Sequence, residues 1–185
     1  MLNDIQFRTR MINEKNALML LNTRRSVLEI QPTSLDLTEY RITINAPSYI
    51  IGPNNIPVLS NGPHILIMTV ERDYPYICED SYERNQHKPK IRFEDPNKRL
   101  THVNVFPSGT ICTGDYFNPQ YHDLTYLVNK AMFAISFTPE TIGYTSMADA
   151  TWEKWMKEMQ KKNKFPTFQW PFIGQKANEI RFNFH

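Results

Sequence analysis

The sequence predicts an α+β domain: a helix leads into an antiparallel meander, a cysteine-bearing loop follows, and helices close the chain. Three observations predict it. Phe7, Met11, Leu18 and Leu21 recur at helical spacing near the start. Alternating and continuous apolar runs separated by Gly, Pro and Asn fill the middle. After Cys112 the period returns to that of a helix.

Taken in order, residues 4–22 read as a helix that Asn3 or Asp4 can cap. Arg8, Arg10, Lys15, Arg24 and Arg25 give it a basic exposed side, either a solvated face or a docking surface for a partner. SVLEIQ and EYRITINA have strand composition, and Tyr40, Ile42 and Ile44 alternate with Arg41, Thr43 and Asn45 as one buried face requires. Turn chemistry follows at 52–55 and at 60–63. HILIMTVE reads as a central strand, Tyr74-Pro75-Tyr76 breaks it, and KIRFE is a short further strand beyond a polar loop. Leu124, Leu127, Val128, Ala131 and Ile135 then share one face of a core helix. Ser146 and Asp149 have capping-box spacing ahead of a last helix with a Trp152, Trp155, Met156 and Met159 stripe.

A chain of 185 residues is one domain, 1–162, with a 163–185 extension. That extension holds Phe165, Phe168, Trp170, Phe172, Phe182 and Phe184, more aromatic residues than a disordered linker carries. It either packs back onto the domain or presents anchors to a partner. Lys+Arg 21 against Asp+Glu 19 is too balanced to indicate nucleic acid as a partner. No apolar run is long enough to span a membrane, and MLNDIQFRTR has charge where a leader would be apolar. Cys78 and Cys112 then read as reduced thiols of a cytoplasmic protein. No Cys or His pair has zinc spacing, so no metal and no cofactor is expected.

The chemistry concentrates in THVNVFPSGTIC, residues 101–112. Acyl transfer through a thiol needs an accessible sulfur and a donor for the oxyanion of the tetrahedral intermediate. Cys112 and Asn104 are those residue types, eight positions apart, with Pro107-Ser108-Gly109 permitting a reversal between them. Taken singly, each has a plainer reading: an inert buried cysteine, a turn asparagine and, for His102, a core histidine. A Cys-His hydrolase would need a base on the sulfur, and His102 and His122 each lie ten residues from it.

The combination resembles the ubiquitin-conjugating enzymes. His102-Val103-Asn104 stands for the family's His-Pro-Asn, and Gly109-Thr110-Ile111-Cys112 for its Gly-x-Ile-Cys at the same spacing. Tyr74-Pro75, Lys88 to Phe93 and Leu124-Thr125 are similar to further family segments, and the match runs over roughly residues 1–162. The resemblance implies a transferase that takes a ubiquitin-like protein from an activating enzyme as a thioester on Cys112 and passes it to an amine of an acceptor protein. Asn104 would stabilise the oxyanion or hold the loop, and His102 would brace it. Ser146 or Asp149 would orient or deprotonate the incoming lysine, unless they serve as N-cap and N3 of the helix.

Departures from the family pattern mark a divergent member, of the kind a bacterial ubiquitin-like conjugation operon would encode. Val103 replaces the proline, and Asp115 brings a negative charge close to the thiol. Tyr121-His122-Asp123 stands where the family has Trp-Ser-Pro-Ala, a surface many ligases grip, so the need for a ligase stays open. The alternative to a carrier is a binding module that keeps the fold without the chemistry.

Overall fold

A computed structural model describes residues 3–24, 26–75, 80, 83, 86–114, 117–138, 142–143 and 147–166. Cys78, Asp115, Ser146 and the aromatic positions from 168 onward lie outside them.

Helix α1 spans Asp4–Leu20. Asn3 caps it in a reciprocal box, its side chain accepting the Gln6 N–H while the Gln6 side chain takes the Asn3 N–H. Phe7, Met11 and Leu18 are buried, as their spacing predicts, and a 3-10 turn over Leu21–Arg24 ends the helix. The basic face is narrower than expected. Arg10 turns inward to a buried Glu14, its Nε donating to Glu14 Oε1 at 2.6 Å, whereas Arg8 stays exposed.

The strands are β1 Leu28–Pro32, β2 Glu39–Ile44, β3 Ser48–Ile51, β4 Pro57–Ser60, β5 His64–Thr69 and β6 Lys90–Phe93. Four of them form one antiparallel sheet in the order β1-β2-β5-β6. Register places Ile30, Ile42, Leu66 and Phe93 in one row across all four strands, every side chain buried. A one-residue slip would turn the whole row to solvent, so burial alone selects this pairing. The β3–β4 hairpin is a separate two-stranded unit, tied to the domain through Ile51 N–H to Arg99 O and Thr101 N–H to Tyr49 O. The turn residues on either side of β4 were legible in the sequence, but its short half-exposed strands were not.

Helices α2, Thr125–Ile135, and α3, Glu153–Lys161, follow the thiol loop. Helix α2 lays Leu127, Val128, Ala131 and Ile135 on the sheet side of the main core, with Leu124 just ahead of it. It ends in a Schellman arrangement, with Phe137 N–H to Ala134 O and Thr138 N–H to Phe133 O. The left-handed position there is occupied by Phe137, φ 49°, where glycine is usual. A 3-10 turn over Ala150–Trp152 leads into α3, and its cap is Asp149, whose side chain accepts the Thr151 N–H. Asp149 is thus the N-cap itself rather than the N3 partner in a box begun by Ser146.

Two apolar cores result. The main one lies between the sheet, α1 and α2; the smaller one gathers Val103, Phe137, Trp152 and Met156, with Tyr49, Ile51, Trp155 and Phe165 packed against it. Glu14 is a charged residue inside the main core's wall, 2% exposed. It accepts from Arg10, from the Tyr74 hydroxyl at 2.7 Å and from the Leu124 N–H at 2.7 Å, tying α1 to the sheet's exit and to the start of α2. Burial pushes its carboxyl above the usual range, and those donors draw it back. Truncating one member of such a cluster leaves the others buried and unpaired. Glu14→Ala should therefore cost about 3–5 kcal/mol, with Tyr74→Phe costing less, as read by urea denaturation.

Candidate functional site

The thiol sits at the end of a small hairpin laid along β6. Backbone bonds from Phe93 N–H to Gly109 O, 3.0 Å, and from Ile111 N–H to Ile91 O, 2.9 Å, hold residues 105–111 there, and Val105 bridges Ile111. Gly109 makes the reversal at φ +84°, with Phe93 Cβ already at 3.4 Å from where a Cβ would stand. An L residue would be strained there by its backbone angle, while the Phe93 contact alone is an ordinary one.

Val105 and Ile111 are buried in the main core and Val103 in the smaller one, so the segment bearing Asn104 is pinned from two sides. The Asn104 carbonyl accepts the Cys112 N–H at 2.7 Å, which brings the two residues together across the hairpin. The Asn104 N–H donates to His102 Nδ1 at 3.0 Å, and its side-chain Oδ1 accepts the Gly143 N–H at 3.1 Å. With Oδ1 engaged, the side-chain NH2 is the group left to donate. Cys112 is a free, half-buried thiol.

His102 is an internal brace. Its ring is 1% exposed and lies 5.0 Å from the Phe137 ring, and complete burial pulls its pKa down to about 3. Because Nδ1 accepts, the neutral ring carries its proton on Nε2, which is buried and finds no partner among the described residues. Val103 is tied into the turn through its backbone. Its carbonyl accepts from both Ala148, 2.7 Å, and Asp149, 3.0 Å, while the His102 carbonyl accepts the Val105 N–H.

The second histidine is engaged within its own segment. His122 Nδ1 accepts the Asn118 N–H at 3.0 Å, and its ring lies 4.4 Å from that of Tyr126, where burial lowers its pKa. Among the described residues no hydrogen bond joins either imidazole to Cys112 Sγ. Asp149 is brought close through its N–H to Val103, but its carboxylate is committed to the Thr151 N–H and to Arg99 at 3.9 Å.

Three contributors were not expected from the sequence. Gly143 orients the Asn104 amide, Met156 Sδ faces the Val103 N–H at 3.2 Å, and Lys88 Nζ donates to the Gly114 carbonyl just past the thiol at 2.8 Å. Lys88 stands in a motif the sequence displayed, but nothing in the motif pointed to the loop. Among the described residues no cluster of His, Cys, Asp and Glu is fit to hold a metal, and no helix is long and apolar enough to cross a membrane.

A helix, a four-stranded antiparallel sheet and two closing helices give an α+β architecture consistent with the ubiquitin-conjugating fold. A solved structure titled "Novel Ubiquitin-Conjugating Enzyme" matches the chain with a TM-score of 0.52 at 15% identity, covering 84% of this chain and 86% of that one. No protein-family model and no curated protein matches. The chain has the ubiquitin-conjugating fold in a divergent form.

The depressed pKa of His102 makes stability depend on pH. In the unfolded chain the ring titrates near 6.5, in the fold near 3, so below pH 6.5 the unfolded state binds the extra proton. Stability present above that value is lost as pH falls from 6.5 toward 3, at up to about 1.4 kcal/mol per pH unit. His64, also lowered by burial, acts in the same sense. Chemical denaturation between about pH 7 and pH 4 should show this slope, and His102→Asn, which keeps an acceptor for the Asn104 N–H, should flatten it.

Proposed function

We propose that this protein is a carrier that takes a ubiquitin-like protein from an activating enzyme as a thioester on Cys112 and delivers it to an acceptor amine. The observation that supports this best is the pairing of a half-buried thiol with Asn104 across one hairpin, with His102 and His122 each hydrogen-bonded to a backbone N–H instead of the sulfur. A carrier must hold its thioester without hydrolysing it, and a general base on that sulfur would also activate water.

In the loading step the Cys112 sulfur attacks the modifier's C-terminal carbonyl, and the activating enzyme's thiolate leaves. In the second step an amine nitrogen attacks the same carbonyl, gives up a proton to solvent or an adjacent base, and expels the Cys112 thiolate. Asn104, its Oδ1 held by Gly143, has its NH2 to offer the oxyanion in either step. His102 and Val103 fix where that amide stands. Asp149 caps the turn that follows and is also a candidate for orienting the amine. Ser146 and Asp115 remain candidates for the amine side and for the electrostatics of the thiol.

The partners are a ubiquitin-like modifier, its activating enzyme and an acceptor protein in the cytoplasm, with the exposed part of α1 around Arg8 as the docking face for the activating enzyme. The domain over 1–162 carries the chemistry, and the need for a ligase is open to the same assay. Incubation with ATP, the activating enzyme and the modifier should give an adduct that thiol reductant removes. Cys112→Ala should abolish it and Cys78→Ala should leave it intact. Asn104→Ala should still load, yet discharge to lysine about 10²- to 10³-fold more slowly, the usual cost of one oxyanion donor. No reducible adduct with an active activating enzyme would favour the binding module instead.

A further inference from the structure

Phe137 is held in a costly conformation for a reason visible around its ring. A bulky residue at φ 49° stands where glycine is the ordinary choice, and such backbone persists only when its surroundings over-determine it. The ring is enclosed by four others: His102 at 5.0 Å, Tyr49 at 6.2 Å, Trp155 at 6.1 Å and Phe165, stacked at 4.7 Å with planes 16° apart. Phe165 is the only one of these beyond residue 162. It is also set against Trp155, 6.3 Å away at 67°, so two faces of the smaller core meet on it.

From Phe165 a continuous run of contacts leads to the thiol. Phe165 stacks on Phe137, Phe137 lies against His102, His102 Nδ1 accepts the Asn104 N–H, and the Asn104 carbonyl accepts the Cys112 N–H. The two inner members of this run, Phe137 and His102, are each 1% exposed. We propose that Phe165, at the start of the C-terminal extension, is a positioning residue that braces the thiol loop from behind through Phe137 and His102. Phe165 is thereby a working part of the domain, seated on the domain's own smaller core. Its effect on transfer rests on the carrier reading; its effect on the loop does not.

The test uses the full chain with Cys78→Ser, so that Cys112 is the sole thiol, and compares Phe165→Ala, Phe165→Leu and Phe165→Tyr. Two readouts are taken well below the melting temperature: the Asn104 and Cys112 backbone amide resonances, and the rate of Cys112 alkylation by iodoacetamide across pH. Phe165→Ala should move both amides and speed alkylation on the order of 2- to 30-fold, with Phe165→Tyr restoring both. If Phe165→Ala does not fold, Phe165→Leu, which keeps the apolar volume but loses the stacked ring, should show the same changes. A lower melting temperature with wild-type amides and a wild-type alkylation profile would overturn the proposal, leaving Phe165 a packing residue only. Neither readout needs a modifier, so failure of the wild-type protein to form a thioester would count against the carrier and not against the brace. Where the thioester does form, Phe165→Ala should slow its discharge to lysine more than its loading.

Discussion

The backbone of residues 102–105 is buried between two cores and belongs to no sheet, yet each of its polar groups must find a partner. The solution accounts for much of the surrounding structure. Val103 O takes the two N–H groups that open the C-terminal turn, which anchors α3; Val103 N–H meets the sulfur of Met156 on that helix. Asn104 N–H needs an unprotonated ring nitrogen, which burial of His102 guarantees; Asn104 O takes the Cys112 N–H, which fixes the thiol. The loop is thus held by groups that would be costly to leave unpaired, rather than by apolar packing alone.

Val103 meets that constraint. A proline would have removed one N–H from the problem and preset the turn; valine keeps the N–H and fills the small core at 0% exposure. Rigidity is recovered from hydrogen bonds and from the aromatic wall of Phe137, Trp155 and Phe165 behind them.

Charge is distributed so that the buried ionic cluster and the thiol lie on different parts of the chain. Arg10, Glu14 and Tyr74 form a closed set, with Arg10 also reaching the carbonyls of Pro119 and His122. This cluster stitches α1 to the segment beyond the thiol, so helix packing and loop position are set together. Among the described residues the two buried histidines, His64 and His102, are both drawn below their ordinary pKa by burial and serve as neutral hydrogen-bonding groups.

Amphipathic period and turn chemistry made most of the fold legible. The buried faces of α1, β2 and α2 follow directly from residue spacing, because each element meets the core along one regular stripe. The spacing of Asn104 and Cys112 likewise marked one loop, since eight residues with a glycine reversal can hardly place them elsewhere. Other features had no local signal. Arg10 looks like a solvated base until Glu14 and Tyr74, the latter sixty-four positions away, enclose it. The β3–β4 hairpin is too short and half-exposed to show a period. Asp149 as the true cap, Gly143 on the Asn104 amide, and Phe165 against Phe137 all depend on contacts between distant segments. The sequence by itself determined which residues could carry the chemistry and which faces must be buried. Tertiary structure alone decided which groups hold them in place, because that depends on how long-range packing satisfies each buried polar group.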